Sequence, residues 1–249
     1  MAVALIVGAG RGERLGHDRP KALVPVLGRP LLSWALGTLV AVPALRRIVV
    51  VLPDGEQLPA DPRDWGLPAG AWSDADGRPR VIAVAGGRER SHSVRAGLAA
   101  CGDGSDDEPV LVHDGARPLV TPGLVDACLA AIADGADAAV AAAPMTDTVK
   151  QAQPAAADGL PRVERTLDRS RLWAVQTPQV FRRAVLVDAL AQPDAVLAAA
   201  TDDASLVEAA GGDVRIVPAP STNLKVTVPV DLELAELLLP RLRQNDVPC

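Results

Sequence analysis

Apolar residues gather in short runs at 3–7, 46–52, 81–85, 110–112, 138–143 and 214–217, interrupted only by Arg46, Arg47 and Arg215. Runs this short, without polar alternation, predict strands buried on both faces, as in a parallel sheet. Between them, helical spacing at 30–39, 95–100, 124–133 and 182–190 predicts covering helices. Thr201-Asp-Asp-Ala204 reads as the cap of a further helix to about residue 209, and 230–242 as a strongly amphipathic C-terminal helix. Residues 172–179 return to the sheet. The alternation of strand and helix predicts an α/β fold: a Rossmann-like, mostly parallel twisted sheet flanked by helices.

Two stretches leave this rhythm. Residues 53–80, rich in Pro, Gly and Asp with Trp65 and Trp72 among them, show no periodicity and read as a surface excursion. Within 144–170, Val149-Lys150 and Val163-Glu164-Arg165 alternate around a Gly/Pro-rich turn, which predicts a protruding two-stranded β-arm. An isolated hairpin is barely stable in water, so the arm is expected to lean on a second subunit. The whole chain, 1–249, then reads as one domain with the arm as an excursion.

Composition narrows the class. Across 249 residues, 49% hydrophobic and 22% charged content suits one large buried core. The net charge of -6 argues against a nonspecific nucleic-acid surface, so any anion site has to be local. No apolar run approaches the ~18 residues of a membrane span, and the N-terminus enters a strand without a charged leader, which gives the expectation of a soluble, cytoplasmic protein. Cys101, Cys128 and Cys249 lack metal-ligand spacing and read as packed or exposed thiols.

The chemistry sits where strands end. The first strand runs into Gly8-Ala9-Gly10-Arg11-Gly12-Glu13-Arg14, followed by Pro20-Lys21. A dinucleotide fingerprint starting at Gly8 needs glycine where Glu13 stands, and a Walker A loop needs Gly before the lysine, which here follows Pro20. A glycine loop with Arg14 and a lysine placed beside proline nevertheless suits a nucleoside triphosphate. The third strand ends in Gly86-Gly87, ahead of Arg88 to Ser93, where Ser91 or Ser93 reads as a helix cap. The fourth leads into His113-Asp114-Gly115-Ala116-Arg117. Asp114 occupies a position where open α/β sheets bind ligands and where a carboxylate can hold Mg²⁺, Arg117 adds an anion fork, and His113 reads as structural. His17 and His92 offer no ligand spacing. Lys225 stands near the end of the chain. Parallel strands would bring these groups to one sheet edge.

In order and spacing the chain resembles the 2-C-methyl-D-erythritol 4-phosphate cytidylyltransferases. The resemblance rests on Ala9 to Leu15, Pro20-Lys21, Gly86-Gly87 with Arg90 and Ser93-Val94, His113 to Pro118, Asp147-Thr148, Asp168-Arg169, Leu172-Trp173, Thr177-Pro178-Gln179 and Lys225-Val226-Thr227, and it covers nearly the whole chain. It implies a nucleotidyltransferase fold in which Ala9, Gly10, Gly12, Arg14 and Lys21 bind the CTP triphosphate, and Gly87 and Ser93 read cytosine. It also implies that Asp114 serves the ribose and the metal, Mg²⁺, and that Lys21, Lys225 and Arg14 stabilise the reacting phosphates. Arg117, Thr148, Arg169 and Thr177 are implied to bind a polyol phosphate, with Thr148 and Arg169 on an arm that crosses to the partner of a homodimer. The family loop begins Pro-Ala-Ala-Gly where this chain has Val7-Gly8-Ala9-Gly10, while Arg88 and His92 stand at variable positions and are assigned no catalysis.

The reaction implied is transfer of CMP from CTP to methylerythritol phosphate, with no partner among nucleic acids or membranes. Two rivals share the glycine loop. A D-ribitol 5-phosphate cytidylyltransferase would keep most nucleotide-binding groups, whereas a non-catalytic nucleotide-binding regulator should lose Lys21, Asp114 or Lys225, all of which are present.

Overall fold

The computed structural model describes residues 1–10, 12, 15, 19–154 and 159–245. The first apolar run becomes β1 (Ala2–Val7); a small hairpin, β2 (Pro25–Val26) and β3 (Arg29–Pro30), then leads to α1 (Leu31–Val40) and β4 (Leu45–Leu52). A segment with one 3-10 turn, Pro62–Trp65, connects to β5 (Val81–Ala85), α2 (Arg90–Ala100), β6 (Pro109–Asp114), α3 (Pro122–Ala133) and β7 (Ala138–Pro144). The arm, β8 (Lys150–Ala152) and β9 (Val163–Thr166), precedes β10 (Trp173–Arg182), α4 (Arg183–Leu190), α5 (Asp194–Ala199), α6 (Asp203–Ala209), β11 (Val214–Pro218) and α7 (Pro229–Asn245).

Seven strands form one sheet in the order β11-β7-β10-β6-β1-β4-β5. β1 lies parallel between β4 and β6, β5 extends β4 in parallel, and β11 pairs parallel with β7. The mostly parallel sheet expected from the apolar runs is therefore present. One strand differs: β10 runs antiparallel to both β6 and β7. Its direction follows from the arm, which reverses the chain between β7 and β10, and apolar periodicity carries no record of it.

Side chains alternate across the sheet as strand geometry requires. Ala2, Ala4 and Ile6 join Ile48, Val50 and Leu52 on one face, beneath α1 and α3. Val3 and Leu5 join Val49, Val110 and Val112 on the other, beneath α2, α4 and α6. Because β1 is central and covered on both faces, its alternate positions are all apolar, which is why its sequence reads as an unbroken run. A third cluster packs α7, through Ala235 and Leu239, against Leu15, Val24, Leu31 and Trp34, with Arg29 stacked 3.4 Å over the Trp34 ring. Among the described residues no helix is long and apolar enough to cross a membrane.

The structure corrects several sequence expectations. The stretch 53–80 is no mere surface excursion: Trp65, Leu67 and Ala71 belong to the core beneath the sheet, and Trp72 meets Trp65 edge-to-face at 6.4 Å. A few anchoring side chains in an irregular segment leave no period to read. The second helix begins at Arg90 rather than 95, with Glu89 at its N-cap, so neither Ser91 nor Ser93 caps it. Ser91 Oγ instead donates to the Leu197 carbonyl at 3.2 Å, tying α2 to α5. The strand read at 110–112 is β6, which extends to Asp114 itself, while β10 bears out the return of 172–179 to the sheet.

Trp65 provides the check on the reassigned segment. Trp65→Ala should lower the unfolding free energy by about 3–5 kcal/mol in urea denaturation, the cost of emptying a core aromatic site, whereas a surface residue would change it by less than about 0.5 kcal/mol.

Candidate active site

The strand ends deliver their loops through continued backbone pairing. Gly8 N donates to Val51 O at 2.8 Å, Gly86 N to Leu52 O at 2.8 Å and Gly115 N to Val7 O at 2.9 Å, so β1, β4, β5 and β6 terminate side by side. Such close approach excludes side chains. A Cβ on Gly86 would stand 2.2 Å from Ala9 Cβ, and one on Gly87 2.4 Å from His92 Cβ. Gly12 combines a positive φ of 69° with Lys21 packed where its Cβ would be. At Gly8, the departure from the family pattern, a Cβ would lie 3.1 Å from both Ala22 and Leu32, a tight fit that the glycine relieves.

These loops enclose a cleft of about 600 Å³. Val7, Gly8, Ala9, Gly10, Gly12, Lys21 and Ala22 line it from the β1 side; Gly87, Arg88, Glu89, Arg90 and Ser93 from the β5–α2 side; and Asp114, Ala116 and Lys225 complete it. Four cationic side chains, Lys21, Arg88, Arg90 and Lys225, face two carboxylates, Glu89 and Asp114. A chain of net charge -6 thus carries a locally cationic pocket, suited to a polyanion. Ser93 Oγ accepts from Gly87 N at 3.1 Å and donates to Glu89 O at 3.2 Å, fixing the loop before α2.

Asp114 is the electrostatic centre. Its Oδ2 pairs with Lys225 Nζ at 2.6 Å, and its Oδ1 accepts from Arg90 Nε at 3.2 Å. Burial opposes its charge, but Arg90 and Lys225 outweigh burial and hold the carboxyl well below the usual carboxylate range. Arg90 also donates through Nη1 to Asp203 Oδ2. Burial works against the Arg90 charge as well, and Asp203 and Asp114 more than offset it. Lys225 is held by its backbone neighbours: Val226 N donates to Ala116 O at 2.8 Å, and Asp231 caps α7 by accepting from Thr227 N at 2.6 Å and Val228 N at 2.9 Å.

A hydrogen-bond relay locks the strand end beneath Asp114. Asp114 N donates to Thr177 Oγ1 at 2.9 Å, Thr177 donates to His113 Nδ1 at 3.1 Å, and His113 Nε2 donates to the Arg117 carbonyl at 3.0 Å. A carbonyl only accepts, so Nε2 carries a proton, and burial, which disfavours a second one, leaves Nδ1 to accept from Thr177. Burial pushes His113 down to about 4, with the Arg117 carbonyl and Asp114 opposing. Arg117 Nη1 donates to Asn223 O at 2.7 Å, and Asn223 Nδ2 donates to Gln176 Oε1 and Thr177 O at 2.8 and 2.9 Å, which fastens the segment leading to Lys225 onto β10.

The description "2-C-methyl-D-erythritol 4-phosphate cytidylyltransferase" is that of the family model matching residues 2–241. The chain belongs to this family. Among proteins bearing that name, the one from Streptomyces avermitilis is 45% identical over 247 residues, covering 98% of this chain and 93% of the relative. That from Rubrobacter xylanophilus is 44% identical over 241 residues, covering 96% and 94%. The crystal structure of 2-C-methyl-D-erythritol 4-phosphate cytidylyltransferase from Thermus thermophilus superposes with a TM-score of 0.72 at 33% identity, over 96% of this chain and all of the other.

Of the residues that the resemblance to these cytidylyltransferases singles out, Ala9, Gly10, Gly12, Lys21, Gly87, Ser93, Asp114 and Lys225 line this cleft. Arg14 lies outside the described residues. Thr177 and Arg117 are buried beside the cleft rather than lining it; Thr177 belongs to the relay and Arg117 to the clamp on Asn223. Thr148 and Arg169 are exposed on the arm, where Arg169 donates to the Thr146 carbonyl, and neither lines the cleft of its own chain. The sequence alone assigns no role to Arg90 and gives Asp203 only a place in the capping run Thr201 to Ala204. The cap of α6 is Asp202, and Asp203 points to Arg90 instead.

Among the described residues no group of three acidic, histidine or cysteine side chains is placed to hold a metal. Each Asp114 oxygen takes one donor and keeps acceptor capacity, which suits an ion that is bound by one carboxylate and otherwise by substrate phosphates and water.

The relay makes stability depend on pH. His113 has its ordinary value of 6.5 in the unfolded chain and about 4 in the fold, so the unfolded state binds the extra proton and stability falls as pH drops from 6.5 through 4. Between pH 7 and 5 this residue should remove about 2 kcal/mol of unfolding free energy. His113→Gln, whose amide retains a donor for the Arg117 carbonyl, should abolish that part of the slope in urea titrations at the two pH values.

Proposed function

We propose that this chain transfers CMP from CTP to 2-C-methyl-D-erythritol 4-phosphate, yielding 4-diphosphocytidyl-2-C-methyl-D-erythritol and pyrophosphate in the non-mevalonate isoprenoid pathway. The observation that carries the reading is the convergence of Lys21 and Lys225, from opposite ends of the chain, on one glycine-lined cleft. The cytosine would sit against Gly87 and Ser93, and the triphosphate over Ala9, Gly10 and Gly12, where a Cβ on Gly10 would meet nothing within 4 Å.

The nucleophile is a phosphate monoester, anionic at neutral pH, and needs no general base. One of its oxygens bonds to the α-phosphorus, the bond from that phosphorus to the bridging oxygen breaks, and the electron pair leaves with pyrophosphate. The obstacle is repulsion: two unit charges ~4 Å apart repel by about 4 kcal/mol at an effective dielectric near 20. Lys21 and Lys225 offset it at the positions where charge develops, and Arg14 is assigned to the same task. Lys225, 40% exposed in its pair with Asp114, can turn from that carboxylate to an incoming phosphate. Asp114 would hold Mg²⁺, whose chemistry there is neutralisation of phosphate charge. The remaining rate enhancement comes from holding both substrates in line.

We assign Thr148 and Arg169 to the polyol phosphate in the cleft of a partner protomer, with the arm as the dimer contact. Exposure of Leu160 and Val163 at 74% and 60% on the arm supports a covered state. Arg117 and Thr177 support the substrate region from beneath. The two described cysteines, buried and unpaired, accord with a cytoplasmic setting.

Pyrophosphate release with CTP and Mg²⁺ should occur with methylerythritol 4-phosphate and be far slower with ribitol 5-phosphate; equal or reversed rates would sink the substrate assignment. In the same assay Lys21→Ala and Lys225→Ala should each lower kcat by about 10²–10³ with little change in melting temperature. Arg169→Ala should raise KM for the polyol phosphate about tenfold or more and leave KM for CTP nearly unchanged, as expected of a group that meets only the second substrate.

A further inference from the structure

Alternating charges run from the base of α6 to the cleft through Asp203, Arg90, Asp114 and Lys225. Asp203 is fully buried, and its Oδ2 accepts from Arg90 Nη1. Arg90 Nε then takes Asp114 Oδ1, while Asp114 Oδ2 holds Lys225. The other oxygen of the buried acid, Asp203 Oδ1, has no hydrogen-bond partner among the described residues. Such a carboxylate is expensive to bury. The helix start does not require it, because Asp202 already caps α6 by accepting from Ser205 N at 2.9 Å and also accepts from Gln179 Nε2 at 2.7 Å. What Asp203 does is fix the direction of one guanidinium.

We propose that Asp203 is a positioning residue for the transfer reaction, an inference that rests on the function proposed above. By anchoring Nη1 it restricts Arg90 to a single contact with Asp114, through Nε, and leaves Oδ2 as the oxygen that Lys225 exchanges for a substrate phosphate. A guanidinium released from Asp203 would align its fork on both oxygens of Asp114, the geometry arginine favours with a carboxylate. Lys225 would then be displaced from its poised position. CTP would still be held by the glycine loop and Lys21, which lie outside this chain of charges, so the loss falls on turnover.

The test compares wild type, Asp203→Asn, Arg90→Lys and the double variant by pyrophosphate release with CTP, Mg²⁺ and methylerythritol 4-phosphate, with folding checked by thermal melting. Asp203→Asn is expected to lower kcat about ten- to a hundredfold while KM for CTP stays within about threefold. The double variant is expected within about threefold of the slower single variant, since residues that act as one unit do not lose activity independently. A folded Asp203→Asn protein with wild-type kcat, or losses that multiply in the double variant, overturns the role. Where Asp203→Asn does not fold, Arg90→Lys decides alone: it keeps the charge without the fork, and an undiminished kcat overturns the proposal. Absence of pyrophosphate release by the wild type rejects the reaction itself, so the two failures are distinct.

Discussion

A carboxylate at the buried end of a central strand cannot keep its charge alone, and the site is organised around meeting that constraint at Asp114. A buried carboxylate left unpaired is costly; Arg90, 26% exposed, meets most of that cost, whereas Lys225, 40% exposed, is screened enough by water to leave the pair at small cost to the fold. Each comes from a different part of the chain. Arg90 arrives with the first turn of α2, and Lys225 with the segment that Asn223, Ala116 and the α7 cap pin in place. Of the charges that make the pocket cationic, Arg90 is therefore the one on which the fold also depends.

Backbone proximity is the second constraint. Gly12, Gly86 and Gly87 each occupy a position where a Cβ would lie 2.4 Å or less from a neighbouring atom, and this crowding lets four strand ends share one edge. The relay through Thr177 and His113 works on the same scale, since it uses the antiparallel strand β10 to hold the N–H of Asp114. Sheet order and site geometry are thus one problem: β10 is wedged between β6 and β7, and its Thr177 reaches the terminal residue of β6.

The central strands were legible because burial on both faces demands unbroken apolar runs, as in Val3 to Val7 and Ile48 to Leu52. The cleft-lining glycines and Lys21 were legible because close approach and anion binding restrict the residue types. The direction of β10 was not, since a strand carries the same pattern whichever way it runs. The anchoring role of Trp65 is not legible because its segment has no period. The pairing of Arg90 with Asp203, 113 residues apart, joins the first residues of two helices, and their meeting depends on how α2, α5 and α6 pack together. A polar residue beside a cap also looks the same in sequence whether it faces solvent or a buried guanidinium.

The contribution of residues 223–239 bears on the order in which the molecule is made. Synthesis proceeds from the N-terminus, and a domain folds as a unit once its chain is available. The glycine loop, Lys21, the β5–α2 turn and Asp114 all exist before Lys225 emerges, and so do Leu15, Val24 and Trp34, whose apolar cover includes Ala235 and Leu239. A chain ending before residue 223 consequently lacks one lysine of the cleft and part of the apolar cover of Leu15, Val24 and Trp34. The stretch from Asn223 to Leu239 completes both the hydrophobic cover and the charge pattern, so a ribosome-bound fragment ending before it would lack Lys225 and the cover supplied by α7.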